Sequence, residues 1–171
     1  MFARFDPTAR RAVVRAAQLA GEYGRRTLDT DFLLLALAEA HAVDDVTADA
    51  VRARISGPTD RELPATLGID LDALRPRLDD DLGAWRLRRS PLRPLRVTIT
   101  GPTTAFELTA HSRKVVEVAL HYAHRGGTSV QPPHLVLGLL ADRNNRSVRI
   151  LHRLGADLRT LWGRQLPRTA A

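Results

Sequence analysis

Cysteine is absent from this 171-residue chain, and lysine occurs once, at Lys114. Without thiols there is no disulfide, no thiolate metal site and no cysteine nucleophile, and the composition fits a reducing compartment. No apolar run approaches the ~18 residues of a membrane span. The opening MFARFDPTARR lacks the apolar segment of a signal peptide. The expectation is a soluble, cytoplasmic protein. Catalytic motifs are missing too. There is no G-x-S-x-G elbow and no H-E-x-x-H, and Lys114 is followed by Val115, so no G-x-x-x-x-G-K-S/T phosphate loop exists. Glu39, Glu62, Glu107 and Glu117 lie in unrelated contexts, which gives no paired-carboxylate site. These absences point to a non-enzymatic chain without cofactor or metal.

What is present is apolar content and arginine. Hydrophobic residues make up 44%, enough for a core without disulfides, and the net charge is +7, carried almost entirely by arginine. His121 and His124 stand three apart, with His111 ten residues before His121. Zinc sites need three or four converging ligands, so these histidines read as surface or half-buried residues. WRLRRSPLRPLR (85–96) carries five arginines and a tryptophan, a combination able to pair with phosphates and stack on a base. The competing reading is local neutralisation by Asp79, Asp80 and Asp81.

The chain also repeats itself. LGIDLDAL (67–74) and LGADLRTL (154–161) share five of eight residues at an offset of 87 (154 − 67). Working backwards from each copy gives helical signals in the same order. Asp6 and Pro7 open one amphipathic helix that ends before Gly24; Thr109 opens its counterpart, which stops at Gly126-Gly127. LDTDFLLLALAEA (28–40) matches VQPPHLVLGLLAD (130–142). Both are apolar nearly all round and belong inside the fold. VTADAVRARI (46–55) matches RSVRILHRL (146–154). The fourth helices start at Asp70 and Asp157, each after a glycine (Gly68, Gly155) at a left-handed position. The offset at the second helix is 102 (130 − 28), so the first copy carries about fifteen extra residues, assigned to 56–65 and its neighbours. The reading is an all-α fold of two four-helix copies packed face to face. Repeat one covers about 1–82, an Arg/Pro-rich linker about 83–107, and repeat two about 108–166, within one domain spanning 1–171. In the linker, RVTIT alternates and predicts a short extended stretch.

Four motifs in order then give a resemblance. MFARFDPTARRAVV is similar to the M-F-x-R-F-S/T opening of the Clp ATPase amino-terminal domain, the double Clp repeat of the Hsp100 unfoldases. DTDFLLLAL and QPPHLVLGL resemble its G-T-E-H-I/L-L-L-G-L. LTAHSRKVVEVAL resembles the start of its second repeat, and LG-x-DL its repeated phrase. The resemblance implies an isolated docking domain without the ATPase modules, and a monomer. Its partners would be client proteins, adaptors or cyclic-peptide antibiotics, which it would sequester or deliver. Phe2, Phe5, Arg10, Leu108, Arg113 and Glu117 match the apolar, charge-rimmed groove. Phe5 and Leu108 also fit a role stapling their helices into the core. The family's phosphoarginine site needs an acid and a threonine. Here the acid position is Asp31 in copy one and Pro133 in copy two, and the threonine position is Asp6 in copy one and Thr109 in copy two. Each copy retains one element, so phosphoarginine binding is expected to be weak or absent. Helix capping explains Asp6, Asp31 and Thr109 equally well. The rival function is nucleic-acid binding through the Arg-rich linker.

Overall fold

The computed structural model describes residues 1–44, 46–55, 82–93 and 95–166. The fourth helix of copy one (from Asp70), the 56–65 insertion and Asp79 to Asp81 lie outside the described residues. Seven α-helices are described: α1 Pro7–Glu22, α2 Thr30–Glu39, α3 Ala48–Arg52, α4 Ala110–Arg125, α5 Pro132–Leu140, α6 Arg146–Arg153 and α7 Leu158–Gln165. Their starts follow from the sequence. Asp6 accepts from the Ala9 amide (2.6 Å), Asp29 from Thr30 (2.7 Å), Thr47 from Ala50 (3.3 Å), Thr109 from Ser112 (3.3 Å), Asn145 from Val148 (2.9 Å) and Asp157 from Arg159 (3.0 Å). Short polar side chains satisfy first-turn amides that no helical carbonyl can reach. Gln131 caps α5 differently: its own amide donates to Nδ1 of His134 at 3.0 Å. Gly24 and Gly155 take positive φ (64° and 73°) just past α1 and α6, where a side chain would be strained.

The all-α expectation needs correction; the eighth expected helix lies outside the described residues. A four-stranded sheet, ordered β1-β4-β3-β2, accompanies the helices: β1 Thr27–Leu28, β2 Arg86–Arg89, β3 Val97–Thr100 and β4 Ala105–Leu108. β2, β3 and β4 run antiparallel in turn, and β1 adds parallel to β4. The cause is a period-two pattern in three short stretches of the inter-repeat segment. Leu87, Val97, Ile99, Phe106 and Leu108 are buried while their strand neighbours are half-buried or exposed. RVTIT is the middle strand of this sheet rather than an isolated extended stretch.

α2 and α5 form the centre, and every residue of Phe32–Ala38 and of His134–Leu139 is buried. α4 crosses α5 closely enough that a Cβ on Gly138 would strike the Val115 carbonyl. On the outside of copy one, Arg15 bridges Glu22 and Glu39 and Arg52 bridges Glu39 and Asp49, all at 2.7 Å, tying α1, α2 and α3 together. The copies are joined by a reciprocal exchange. Phe5, before α1, pairs in parallel with Val130, before α5; Leu108, before α4, pairs in parallel with Leu28, before α2. Each copy's first helix is therefore hydrogen-bonded at its entry to the loop that opens the other copy's second helix, as a twofold relation requires.

Candidate functional site

The groove residues gather where the two copies meet the inter-repeat segment. Phe2 and Phe5 stack edge-on at 5.4 Å, and Phe2, Phe5 and Leu108 all lie in the hydrophobic core. Their cover is the chain itself. The Met1 ammonium donates to the Leu87 carbonyl at 3.2 Å, and Trp85 and Leu87 are buried in the same cluster. Gly101 admits the indole, since a Cβ there would stand 2.7 Å from it.

Arg10 and Arg113 hold equivalent places, three residues into the first helix of each copy. The Arg10 guanidinium lies 5.2 Å from the Phe2 ring centroid and donates to the carbonyls of Leu82 and Trp85 (3.2 Å for the latter). Arg113 donates to the carbonyl of Leu95, and its Nε is 3.8 Å from Glu117. Glu117 also pairs with Arg89 of β2 at 2.5 Å, and Arg96 pairs with Glu107 at 3.0 Å. Both arginines thus hold main-chain carbonyls of the same segment. Their Nε atoms are, among the described residues, the two buried side-chain nitrogens or oxygens without a hydrogen-bond partner. A planar guanidinium carries five N–H donors and no acceptor, so one arginine can hold more than one carbonyl, as Arg10 does.

Of the positions matching the phosphoarginine motif, Thr109 and Asp31 are linked across the junction through Asp29 and Arg146. The Thr109 hydroxyl, from copy two, donates to Asp29 of copy one at 3.2 Å. Asp31 stands two residues on, buried, with its carboxylate accepting from the Phe32 amide at 2.9 Å. Both carboxylates are already paired within the chain: Arg146 places Nε 3.3 Å from Asp31 and Nη1 3.7 Å from Asp29. Burial pushes the Asp31 carboxyl above its usual range, and the Arg146 charge only partly offsets this. Ser147 locks the arrangement, donating from its hydroxyl to the Thr30 carbonyl at 2.6 Å. The opposite seat holds Asp6 and, in the first turn of α5, Pro133, which has no N–H and no carboxylate. Asp6 spends its side chain on capping α1, and its charge acts on His134, which burial nonetheless holds below the usual histidine range.

Sequence reasoning missed Trp85, Leu87, Arg146 and Ser147 as parts of the site. Trp85 and Leu87 alternate with Arg86 and Arg88, a pattern of two apolar residues too short to mark a strand. Arg146 and Ser147 reach Asp31 and Thr30 over more than a hundred residues, and no local pattern marks such a contact. Three of the five linker arginines are also engaged. Arg86 donates to the carbonyl of Trp85 at 3.2 Å, Arg89 and Arg96 are ion-paired, and the indole is 5% exposed, too covered to stack on a base. Among the histidines, His111 binds Asp142 through Nδ1 at 2.9 Å and His121 lies edge-on to Tyr122. Among the described residues, no helix is long and apolar enough to cross a membrane.

No family model matches the chain. It is 23% identical over 159 residues to the chaperone protein ClpB of Oceanobacillus iheyensis, a match covering 92% of this chain and 16% of that protein. The chain therefore spans less than a fifth of the length of that relative. Among solved structures, the amino-terminal domain of the caseinolytic protease associated chaperone ClpD from Arabidopsis thaliana superposes with a TM-score of 0.58 at 20% identity, covering 99% of this chain and 100% of that one. A structure from a malarial protein secretion system superposes with a TM-score of 0.49 at 16% identity, covering 97% of each chain. The match to the ClpD domain runs the full length of both chains and the sequence motifs fall in the family's order, so the fold is that of a Clp ATPase amino-terminal domain.

Proposed function

We propose that the chain is a non-enzymatic docking domain for extended polypeptide, and that the junction between its two copies is the docking seat. One observation carries this reading. Arg10 and Arg113, one from each copy, direct their guanidinium groups at main-chain carbonyls of the inter-repeat segment, and Arg10 does so from over the buried Phe2 ring. Main-chain carbonyls are common to every peptide, so the same donors suit a client, an adaptor segment or a peptide-like antibiotic. In this reading the inter-repeat segment occupies the seat in cis, and a docking peptide displaces it. A domain of this kind acts by mass action, holding or handing over clients of a Clp unfoldase. The engaged linker arginines and the covered Trp85 weigh against nucleic-acid binding through the linker.

The test is a fluorescence-anisotropy titration with labelled, carboxymethylated lactalbumin, a permanently unfolded polypeptide. Wild type should bind saturably. Arg10→Ala with Arg113→Ala should weaken binding by about tenfold or more, the scale of losing ~1.4 kcal/mol. Arg88→Ala, on the exposed side of β2, should change nothing. Equal binding by all three proteins, with circular dichroism unchanged, would exclude the junction as the seat.

A further inference from the structure

Away from Arg10 and Arg113, four arginines line one cleft. Arg54 at the end of copy one's third helical segment faces Arg146, Arg149 and Arg153 of α6 across a space of about 360 Å³, with Ile150 as its apolar floor. Arg146 is anchored to Asp31 and Asp29. Arg54, Arg149 and Arg153 are exposed and have no ion-pair partner among the described residues. Their placement is costly for the helix. Positions 146, 149 and 153 stand three and four apart on one face, where like charges repel by a few tenths of a kcal/mol per pair. Among the described residues no aromatic side chain lines the cleft, so they offer no platform for bases. It offers guanidinium forks, which match phosphate oxygens two at a time.

We propose that this cleft binds a compact oligophosphate, an anion with two or more linked phosphate groups. Such an ion concentrates several negative charges in a small volume, whereas carboxylates supply one charge each on bulkier carriers. An oligophosphate is therefore the ligand that neutralises three unpaired arginines within a space of this size. The proposal is independent of peptide docking, because Arg10 and Arg113 take no part in it.

Isothermal titration calorimetry with inorganic phosphate, pyrophosphate and tripolyphosphate tests it. Affinity should rise along that series. Arg149→Gln with Arg153→Gln should weaken tripolyphosphate binding by about tenfold or more. The pair Arg88→Gln and Arg125→Gln lowers the net charge equally and should change it by less than about threefold. All four side chains are exposed, so neither pair disturbs the core. Three results would overturn the proposal: no saturable binding of tripolyphosphate, an equal loss in both variant pairs, or oligoglutamate of matched charge binding as tightly as tripolyphosphate. A single-stranded oligonucleotide that binds through Arg149 and Arg153 without competition from tripolyphosphate would also overturn it.

Discussion

Arg146 is the partner of the buried Asp31 carboxylate, with its Nε 3.3 Å away. Arg146→Ala leaves a buried carboxylate without its partner and should cost about 1–3 kcal/mol in urea unfolding. Adding Asp31→Asn should recover most of that loss, because the amide needs no countercharge; a double-mutant cycle with no coupling would contradict the pairing. His134 sets a second residue-scale expectation. Its Nδ1 accepts from the Gln131 amide, so the cap needs the neutral ring, and burial lowers its affinity for a proton. The unfolded chain then binds a proton more readily than the folded one. Stability contributed by this residue is full above the ordinary histidine value of about 6.5 and is lost as pH falls toward the depressed folded value. Urea midpoints measured between about pH 7.5 and pH 5 should fall less steeply in His134→Gln than in wild type.

At the scale of elements, the central helices and the hairpin make different demands. α4 and α5 cross at Gly138, where a methyl group meets the Val115 main chain. Backbone cannot turn aside as a side chain can, so Gly138→Ala should cost about 1–3 kcal/mol and lower Tm by several degrees. The corresponding position in α2 is Ala36, which shows that the close crossing belongs to copy two. Gly101 serves the hairpin instead. A methyl there displaces the Trp85 indole, so Gly101→Ala should shift tryptophan emission to the red and strengthen docking of carboxymethylated lactalbumin by freeing the seat. An unshifted spectrum would show that the indole does not depend on that gap. Helices and their caps were legible in the sequence because the signals are local: Asp6, Thr109, Asn145 and Asp157 sit beside the amides they satisfy. The sheet was less so. Leu87 is a lone apolar residue among arginines, and β1 is two residues long, defined by its pairing with β4 rather than by any pattern of its own.

Across the whole molecule, the reciprocal pairings Phe5–Val130 and Leu108–Leu28 make the copies one structure. They also rearrange the site. Thr109 and Asp31, which the sequence assigns to different copies, come to the same side of the junction through Asp29. The same closure brings Arg10 and Arg113 to main-chain carbonyls of one inter-repeat segment. The proposed docking requires release of that segment, and hydrogen exchange followed by mass spectrometry reads this most directly. Saturating carboxymethylated lactalbumin should speed exchange of the amides in Arg86–Arg89 and Val97–Thr100 while α2 and α5 stay protected. Unchanged or slower exchange in those two strands, with the polypeptide bound, would contradict the account.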